Sequence, residues 1–291
     1  MKRRELPPRL EAVAIWLVFH LFRLMPLDLA SAVGGWIGRS IGYRLPLTRQ
    51  ARHNLQRVFP DMPAERREAI LRAMWDNLGR TAAEFPHLPE FGFGPGQRVE
   101  VEGRQYIEQL RDDGGPGLFF GGHLANWELM GLCAVRTDLP LHLIYRAPNN
   151  PRLEWVYRFG RDNDGVQLIP KGAAGARTAL QLLRRGEHIG MLIDQKMNDG
   201  IAVPFFGIEA MTAPALATFA LKYDCPVVAA HVERLCGARF RMVLDPPIRF
   251  DNTGNRHADI LAAMTKVNAL LEGWIRRRPE QWLWLHHRWP D

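Results

Sequence analysis

The sequence predicts an α/β protein: a mixed, partly parallel sheet flanked by helices, preceded by an all-helical N-terminal region. Three observations carry this. From about residue 98 onward, short apolar runs alternate with helical patterns, the mark of strands joined by helical crossovers. Before that point apolar residues recur at helical spacing and no strand-like run intervenes. Between the two textures lies Pro86 to Gln97 (PHLPEFGFGPGQ), dense in proline and glycine, where a boundary belongs. The 291 residues, 47% hydrophobic and 24% charged, are enough for a sizeable core and exclude a disordered chain.

In the helical part, Ala12 to Met25 (AVAIWLVFHLFRLM) is apolar apart from His20 and Arg23 and follows Lys2, Arg3 and Arg4. As a helix it spans about 21 Å, short of the roughly 30 Å hydrocarbon core of a bilayer. Arg23, Pro26 and Asp28 stand where a signal peptide would have a small-residue cleavage site. The expectation is membrane attachment. An interfacial helix with Trp16, Phe19 and Phe22 in the headgroup boundary keeps the body cytoplasmic, whereas a crossing would put it outside; a core helix is the competing reading. Ser31 to Tyr43, rich in small residues, and Ala64 to Glu84, with Ile70, Leu71, Met74, Leu78 and Ala82 on one face, complete this part. The expected organisation is a membrane-associated helical segment over 1–45, a helical lead-in over 46–97 and an α/β domain over 98–291.

In the α/β part, strands are expected at Val99 to Glu102, Gly117 to Phe120, Leu141 to Tyr145, Gln167 to Ile169, Ile189 to Ile193, Val227 to His231 and Phe240 to Leu244. Helices are expected at Arg104 to Asp112, Trp127 to Arg136, Pro151 to Asp162, Gly175 to Arg185, Pro214 to Tyr223 and Ile260 to Arg277. Chemistry in such a sheet belongs at the carboxyl ends of its strands.

The formal charge of +7 favours anionic partners such as phosphates, acidic headgroups or an acidic protein. No zinc-finger, helix-turn-helix or RNA-binding signature accompanies it, so no nucleic-acid partner is expected. Cys133, Cys225 and Cys236 are odd in number, scattered and set in apolar sequence, which argues for buried free thiols rather than disulfides or a zinc site.

The stretch FFGGHLANWELMG at 119 to 131 ends an apolar run on two glycines and then supplies His123 and Glu128. Five residues on a regular helix turn the pair about 140° apart, so they cannot share a helix face. With His123 in the loop and Glu128 in the first turn, the carboxylate can reach back, fix the imidazole tautomer and leave the other ring nitrogen as a base toward a hydroxyl. A buried histidine paired with a carboxylate for structural reasons fits the same spacing. A metal site is not expected, because this is not the H-E-x-x-H spacing of a zinc helix.

Other candidates follow strands. Asp194 and Gln195 end the run IGMLIDQ, and Pro204 to Gly207, with Phe205 and Gly207, resembles a rigid aromatic turn beside a pocket; taken alone, these stretches read as core plus loop. Arg146 in LIYRAPNNP, and Lys171 and Arg177 around a Gly and Ala loop, are either solvated charges or a cationic rim for phosphate groups. No G-x-S-x-G nucleophile motif competes. The C-terminal WLWLHHRWP suggests core packing with a cationic edge, its adjacent histidines pointing apart as they would in a strand.

Taken together, RQARHNLQRVFP at 49 to 60, GGHLANWELMG at 121 to 131, IYRAPNNP at 144 to 151, IPKGAAGAR at 169 to 177, DQKMNDGIAVPFFGIEAMTAPA at 194 to 215 and RRRPEQWLWLHHRW at 276 to 289 resemble the bacterial lipid A biosynthesis acyltransferases, the lauroyl and myristoyl transferases of the lysophospholipid acyltransferase superfamily. The resemblance covers nearly the whole chain, and residues 98–291 would be its acyltransferase domain. It implies that His123 is the catalytic base and Glu128 its acidic partner. It places Arg146, Lys171, Arg177, Asp194, Gln195, Phe205 and Gly207 among groups that bind substrate.

It further implies direct transfer from an acyl carrier protein thioester to a hydroxyl of an anionic lipid A precursor, with no cofactor or metal, at the cytoplasmic face of the inner membrane. Acceptors of glycerophospholipid or other glycolipid type, a hydrolase, and a non-enzymatic protein that binds anionic lipid peripherally are the alternatives.

Overall fold

The computed structural model describes residues 7–159 and 167–290. The basic triplet Lys2, Arg3 and Arg4 and the far end of the helix expected to reach Asp162 lie outside the described residues.

Four helices come first: α1 (Pro8–Arg23), α2 (Leu27–Ser40), α3 (Thr48–Val58) and α4 (Ala64–Glu84). Pro7 and Pro8, Pro26 and Pro63 stand at the starts of α1, α2 and α4, where a missing N–H costs nothing. The helix α2 lies directly on α4 because glycines face each other. A Cβ on Gly34 would come within 2.4 Å of the Gly79 carbonyl oxygen, and one on Gly38 within 1.9 Å of that of Trp75.

The α/β part runs β1 (Val99–Glu102), α5 (Arg104–Asp112), β2 (Gly117–Gly121), α6 (Glu128–Arg136), β3 (Leu141–Tyr145), α7 (Glu154–Arg158), β4 (Leu168–Pro170), α8 (Ala173–Arg184) and β5 (His188–Leu192). It continues through β6 (Ile201–Phe205), β7 (Ile208–Thr212), α9 (Ala215–Tyr223), β8 (Val227–Cys236), β9 (Arg239–Leu244) and α10 (Arg256–Arg277). Seven strands form one sheet in the order β1-β9-β8-β2-β5-β3-β4, parallel except for the β8–β9 pair. This is the mixed, partly parallel sheet that the alternation of strand and helix predicts.

Adjacent strand residues point to opposite faces, so β2 serves two cores. Phe119 packs with Leu129, Leu132 and Leu141 under α5 and α6. Phe120 faces the other way, into a cluster shared by α8, α9 and α10 that also takes in Leu55, Leu71 and Trp75 of α3 and α4. The helical lead-in and the sheet therefore bury a common core.

The structure departs from the sequence expectation in five places. The stretch 201–212 is a hairpin, β6 and β7, where only the turn was expected. Phe206 and Gly207 hold φ of +55° and +73° at its tip, the two left-handed residues of a tight hairpin turn, and Pro204 is tolerated because this sheet has only two strands. The helix expected from Pro151 starts as a 3₁₀ turn and, among the described residues, is α-helical over Glu154–Arg158. Cys236 is exposed at the end of β8, while Cys133 and Cys225 are buried.

The C-terminal stretch is not a strand: a 3₁₀ turn at Pro279–Gln281 leads into irregular chain with a single bridge from Trp282 to Leu124. Its tryptophans 282, 284 and 289 are nonetheless core residues, and His286 turns inward while His287 is exposed. Finally, Phe19 does not face outward from α1. It packs edge-on against Trp155 and Phe159, at 5.0 and 4.9 Å between ring centroids. The exposed apolar residues of α1 are instead Val13, Trp16, Leu17 and Leu21 among others, and no residue of this helix is buried.

Candidate active site

Strand register brings the central groups together. Gly121 pairs with Leu192 as the last residues of β2 and β5, and the Ile193 N–H donates to the Gly121 carbonyl at 3.1 Å. Two residues past each end stand His123 and Asp194. The His123 Nδ1 lies 2.7 Å from Asp194 Oδ1, and the His123 backbone N–H donates to Asp194 Oδ2 at 2.8 Å. The indole N–H of Trp282 donates to the same Oδ2 at 2.8 Å.

A fully buried carboxylate would normally resist ionisation. Burial does act that way on Asp194, but the imidazole of His123, the neighbouring His286 and the donated N–H groups outweigh it and hold the carboxyl well below the usual carboxylate range. A charged acceptor on Nδ1 puts the ring proton there, which leaves Nε2 with a lone pair. That nitrogen lies 3.3 Å from Gln195 Nε2, so the resting imidazole accepts from the Gln195 amide. The His123 side chain is 13% exposed, enough for a reactant to reach Nε2.

The acid on the imidazole is thus Asp194, 71 residues away in sequence, and not Glu128. Glu128 does open α6, as expected, and its Oε1 accepts from the neighbouring Trp127 indole at 3.0 Å. It lines the same cavity as His123.

That cavity holds about 520 Å³ and runs from His123 between α6 and the sheet. At its mouth stand Arg146, Lys171 and Gln195. Farther in, Phe119, Leu141, Leu143, Met242 and Leu244 line it from the sheet and Met130 and Ala134 from α6. Three glycines also line it, Gly121 and Gly190 on the sheet and Gly131 on the helix, and each lets a neighbouring side chain, Met130 or Leu143, come within 3 Å of where a Cβ would stand. Burial lowers the Lys171 pKa, with Asp194 opposing that shift and Arg146 adding to it.

Other expected site residues lie elsewhere. Phe205 is fully buried, stacked 5.5 Å from Trp289 with the Arg288 guanidinium 4.9 Å from its ring centroid. Gly207 is at the hairpin tip, and Arg177 is exposed on α8; none of the three lines the cavity.

The sequence reading missed the C-terminal contribution. Besides Trp282, His286 sets its ring 5.3 Å from that of His123 and its pKa is pushed down to about 4 by burial. Arg288, wholly buried, donates to the Met211 carbonyl and to Thr212 Oγ1. The tryptophans at 282, 284 and 289 marked this stretch as core, but nothing local said which core. His123, Asp194 and His286 are close enough to share a metal ion, each offering an atom within 4.8 Å of the others. Asp194, however, already satisfies three N–H donors, so the arrangement is complete as a hydrogen-bonded pair.

A family model described as "Bacterial lipid A biosynthesis acyltransferase" matches residues 3–291. Among curated proteins, the chain is 28% identical over 250 residues to a lipid A biosynthesis palmitoleoyltransferase of Escherichia coli (strain K12), covering 82% of this chain and 77% of that protein. It is 24% identical over 309 residues to a lipid A biosynthesis acyltransferase of Haemophilus influenzae, covering 99% and 96%. To a lipid A biosynthesis lauroyltransferase of Escherichia coli (strain K12) it is 23% identical over 286 residues, covering 94% and 88%.

Proposed function

The chain belongs to the bacterial lipid A biosynthesis acyltransferase family and is an O-acyltransferase; on that premise we propose that it moves a fatty acyl chain from acyl carrier protein to a hydroxyl of a lipid A precursor, with His123 as general base. The observation that carries this reading is the His123 Nδ1 to Asp194 Oδ1 contact at 2.7 Å, which leaves Nε2 as a base at the mouth of an apolar cavity.

The acceptor hydroxyl takes the place of the Gln195 amide on Nε2. As its oxygen attacks the thioester carbonyl carbon, Nε2 takes its proton, a step typically worth about 10²- to 10⁴-fold in rate. Collapse of the tetrahedral intermediate breaks the C–S bond, and the imidazolium returns the proton to the departing thiolate. Asp194 stabilises the imidazolium in between. The acyl chain occupies the slot between α6 and the sheet, whose walls carry the apolar side chains that a hydrocarbon needs. Arg146 and Lys171 at the mouth are suited to the acceptor's phosphates or to the acidic carrier protein. Glu128, in the same wall, meets substrate rather than the imidazole. The roles first expected for Arg177, Phe205 and Gly207 are secondary here: Arg177 extends the basic surface, while Phe205 and Gly207 shape the hairpin that packs on α10.

No described helix is long and apolar enough to cross a membrane. The exposed apolar face of α1, with Trp36 and Ile37 of α2 also exposed, supports interfacial docking on the cytoplasmic face of the inner membrane.

The test is His123→Ala. With labelled acyl carrier protein and a lipid A precursor, the folded variant should lose acyl transfer; wild-type turnover by that variant rules the base out. A glycerophospholipid acceptor in parallel separates the acceptor classes, and free fatty acid as the main product with acceptor present would mark a hydrolase.

A further inference from the structure

The loop that carries His123 is held in an unusual conformation by a buried polar network that reaches no substrate. Ala125 has a φ of +48°, a left-handed value that a residue with a Cβ keeps only where its surroundings over-determine it. Its carbonyl accepts from Thr81 Oγ1 at 3.0 Å and Asn77 Nδ2 at 3.3 Å, and its N–H donates to the Gln281 carbonyl at 2.9 Å. The next residue, Asn126, is fully buried and donates its amide to Glu84 Oε2 at 2.9 Å.

These gripping groups are themselves ordered by one ion pair. Arg234 of β8 binds Glu84 of α4 through two nitrogens, and the same guanidinium reaches Asn77 Oδ1 at 2.8 Å, Thr81 Oγ1 at 3.1 Å and the Gly237 carbonyl at 2.8 Å. Gln281 closes the ring by exchanging side-chain hydrogen bonds with the backbone of Arg234 at 2.8 and 2.9 Å. Glu84 is 0% exposed. A buried ion pair adds little stability over apolar packing, because desolvation offsets most of its attraction. What a fully bonded network does supply is one rigid geometry. Here it is concentrated on the two residues that follow His123 and Leu124.

We infer that Glu84, Arg234, Thr81 and Asn126 are positioning residues for the acyl transfer: they lock the strained loop so that the His123 ring meets Asp194 on one side and the cavity on the other. They act through the loop and touch neither acyl donor nor acceptor. The activity arm of the test rests on the acyl-transfer reading; the spectroscopic arm does not.

The experiment uses the full chain with Thr81→Val, which keeps the side-chain shape and removes one donor to the Ala125 carbonyl, and separately Asn126→Ala. Unfolding temperature and circular dichroism report folding. Steady-state transfer gives kcat and KM, and proton NMR reports the His123 Nδ1–H bonded to Asp194. Expected are a kcat lower by about tenfold or more with KM within about twofold, and a shifted or broadened Nδ1–H signal, since small misplacement of a catalytic group costs rate rather than binding. Adding Ala125→Gly to Thr81→Val should recover much of the lost kcat, because glycine adopts the left-handed conformation without external hold. The inference is overturned if both single variants, folded, keep wild-type kcat and an unchanged Nδ1–H signal, or if they lose only thermal stability. Absence of transfer by the wild-type protein would instead count against the acyltransferase reaction, while the NMR comparison would still decide the positioning role.

Discussion

His123 and Asp194 meet because two central parallel strands end in register. The 2.7 Å contact between Nδ1 and Oδ1 joins residues 71 positions apart, each two residues beyond its strand. The backbone N–H of His123 and the indole of Trp282 complete the shell around the carboxylate. The orientation of the imidazole is therefore a property of the sheet's end rather than of the local motif.

Asp194→Asn tests that statement directly. An amide in place of the carboxylate can donate to Nδ1, which moves the ring proton to Nε2 and removes the base. The fold should survive, since the substitution is isosteric, and kcat should drop by about 10³- to 10⁴-fold. A loss of less than tenfold, measured with acyl carrier protein as donor, would show that Asp194 does not orient the imidazole.

Trp282→Phe removes one donor from Asp194 and keeps an aromatic ring in the core. A hydrogen bond to a charged group contributes about 1.5 to 3 kcal/mol, so stability should fall by that amount before any packing loss. The folded variant should also show a lower kcat, because the indole holds Asp194 against the His123 ring. An unchanged kcat would leave Trp282 with a packing role alone.

Gly190 lines the cavity proposed to take the acyl chain, and a Cβ there would sit 2.9 Å from Leu143 Cδ2 and 3.1 Å from Leu141 Cδ2. Gly190→Ala should press those leucines into the slot and favour shorter acyl donors. Each methylene that no longer fits costs about 1 to 3 kcal/mol in discrimination. Competition between carrier proteins bearing different chain lengths reads the shift, and an unchanged preference would place the chain elsewhere.

Leu17 and Leu21 are each 56% exposed on α1. Replacing both with glutamate should leave the fold intact and weaken sedimentation with anionic vesicles by tenfold or more, since each buried leucine side chain is worth about 1.5 to 3 kcal/mol. Equal partitioning of variant and wild type would remove α1 from the membrane contact.

His286 is pushed down to about 4 by burial, so the folded state binds its proton less readily than the unfolded chain, whose histidines titrate near 6.5. Its contribution to stability is complete above about pH 6.5 and is lost as pH falls toward about 4, with an upper bound of about 3 kcal/mol. Denaturant unfolding across that window should show the loss, and His286→Phe should flatten the slope. A variant with the wild-type slope would show that His286 does not titrate on unfolding.

Much of this was readable before any coordinates. The alternation after residue 98 announced seven strands, and Val99–Glu102 and Leu141–Tyr145 coincide with their expected bounds, the first as an edge strand that alternates valine inward with glutamate outward and the second as a mostly apolar run between turns. His123 in a loop after a strand and Glu128 opening a helix followed from two glycines and the return of helical spacing. The hairpin at 201–212 was not legible, since Pro204 interrupts a five-residue strand and masks the alternation. The partner of the imidazole was misassigned for a similar reason. Glu128 is near in sequence and Asp194 is near in space, and local reading can weigh only the first.

By itself the sequence determined the α/β class, the helical lead-in, the family, and the histidine at a strand's carboxyl end. All of these are written in local periodicity and in ordered motifs. Only the tertiary structure decided which carboxylate holds that histidine, that Trp282 and His286 return from the C-terminus to surround it, and that a cavity runs beneath α6. Those outcomes depend on strand register and on how distant segments pack, and residues far apart in the chain carry no local mark of meeting.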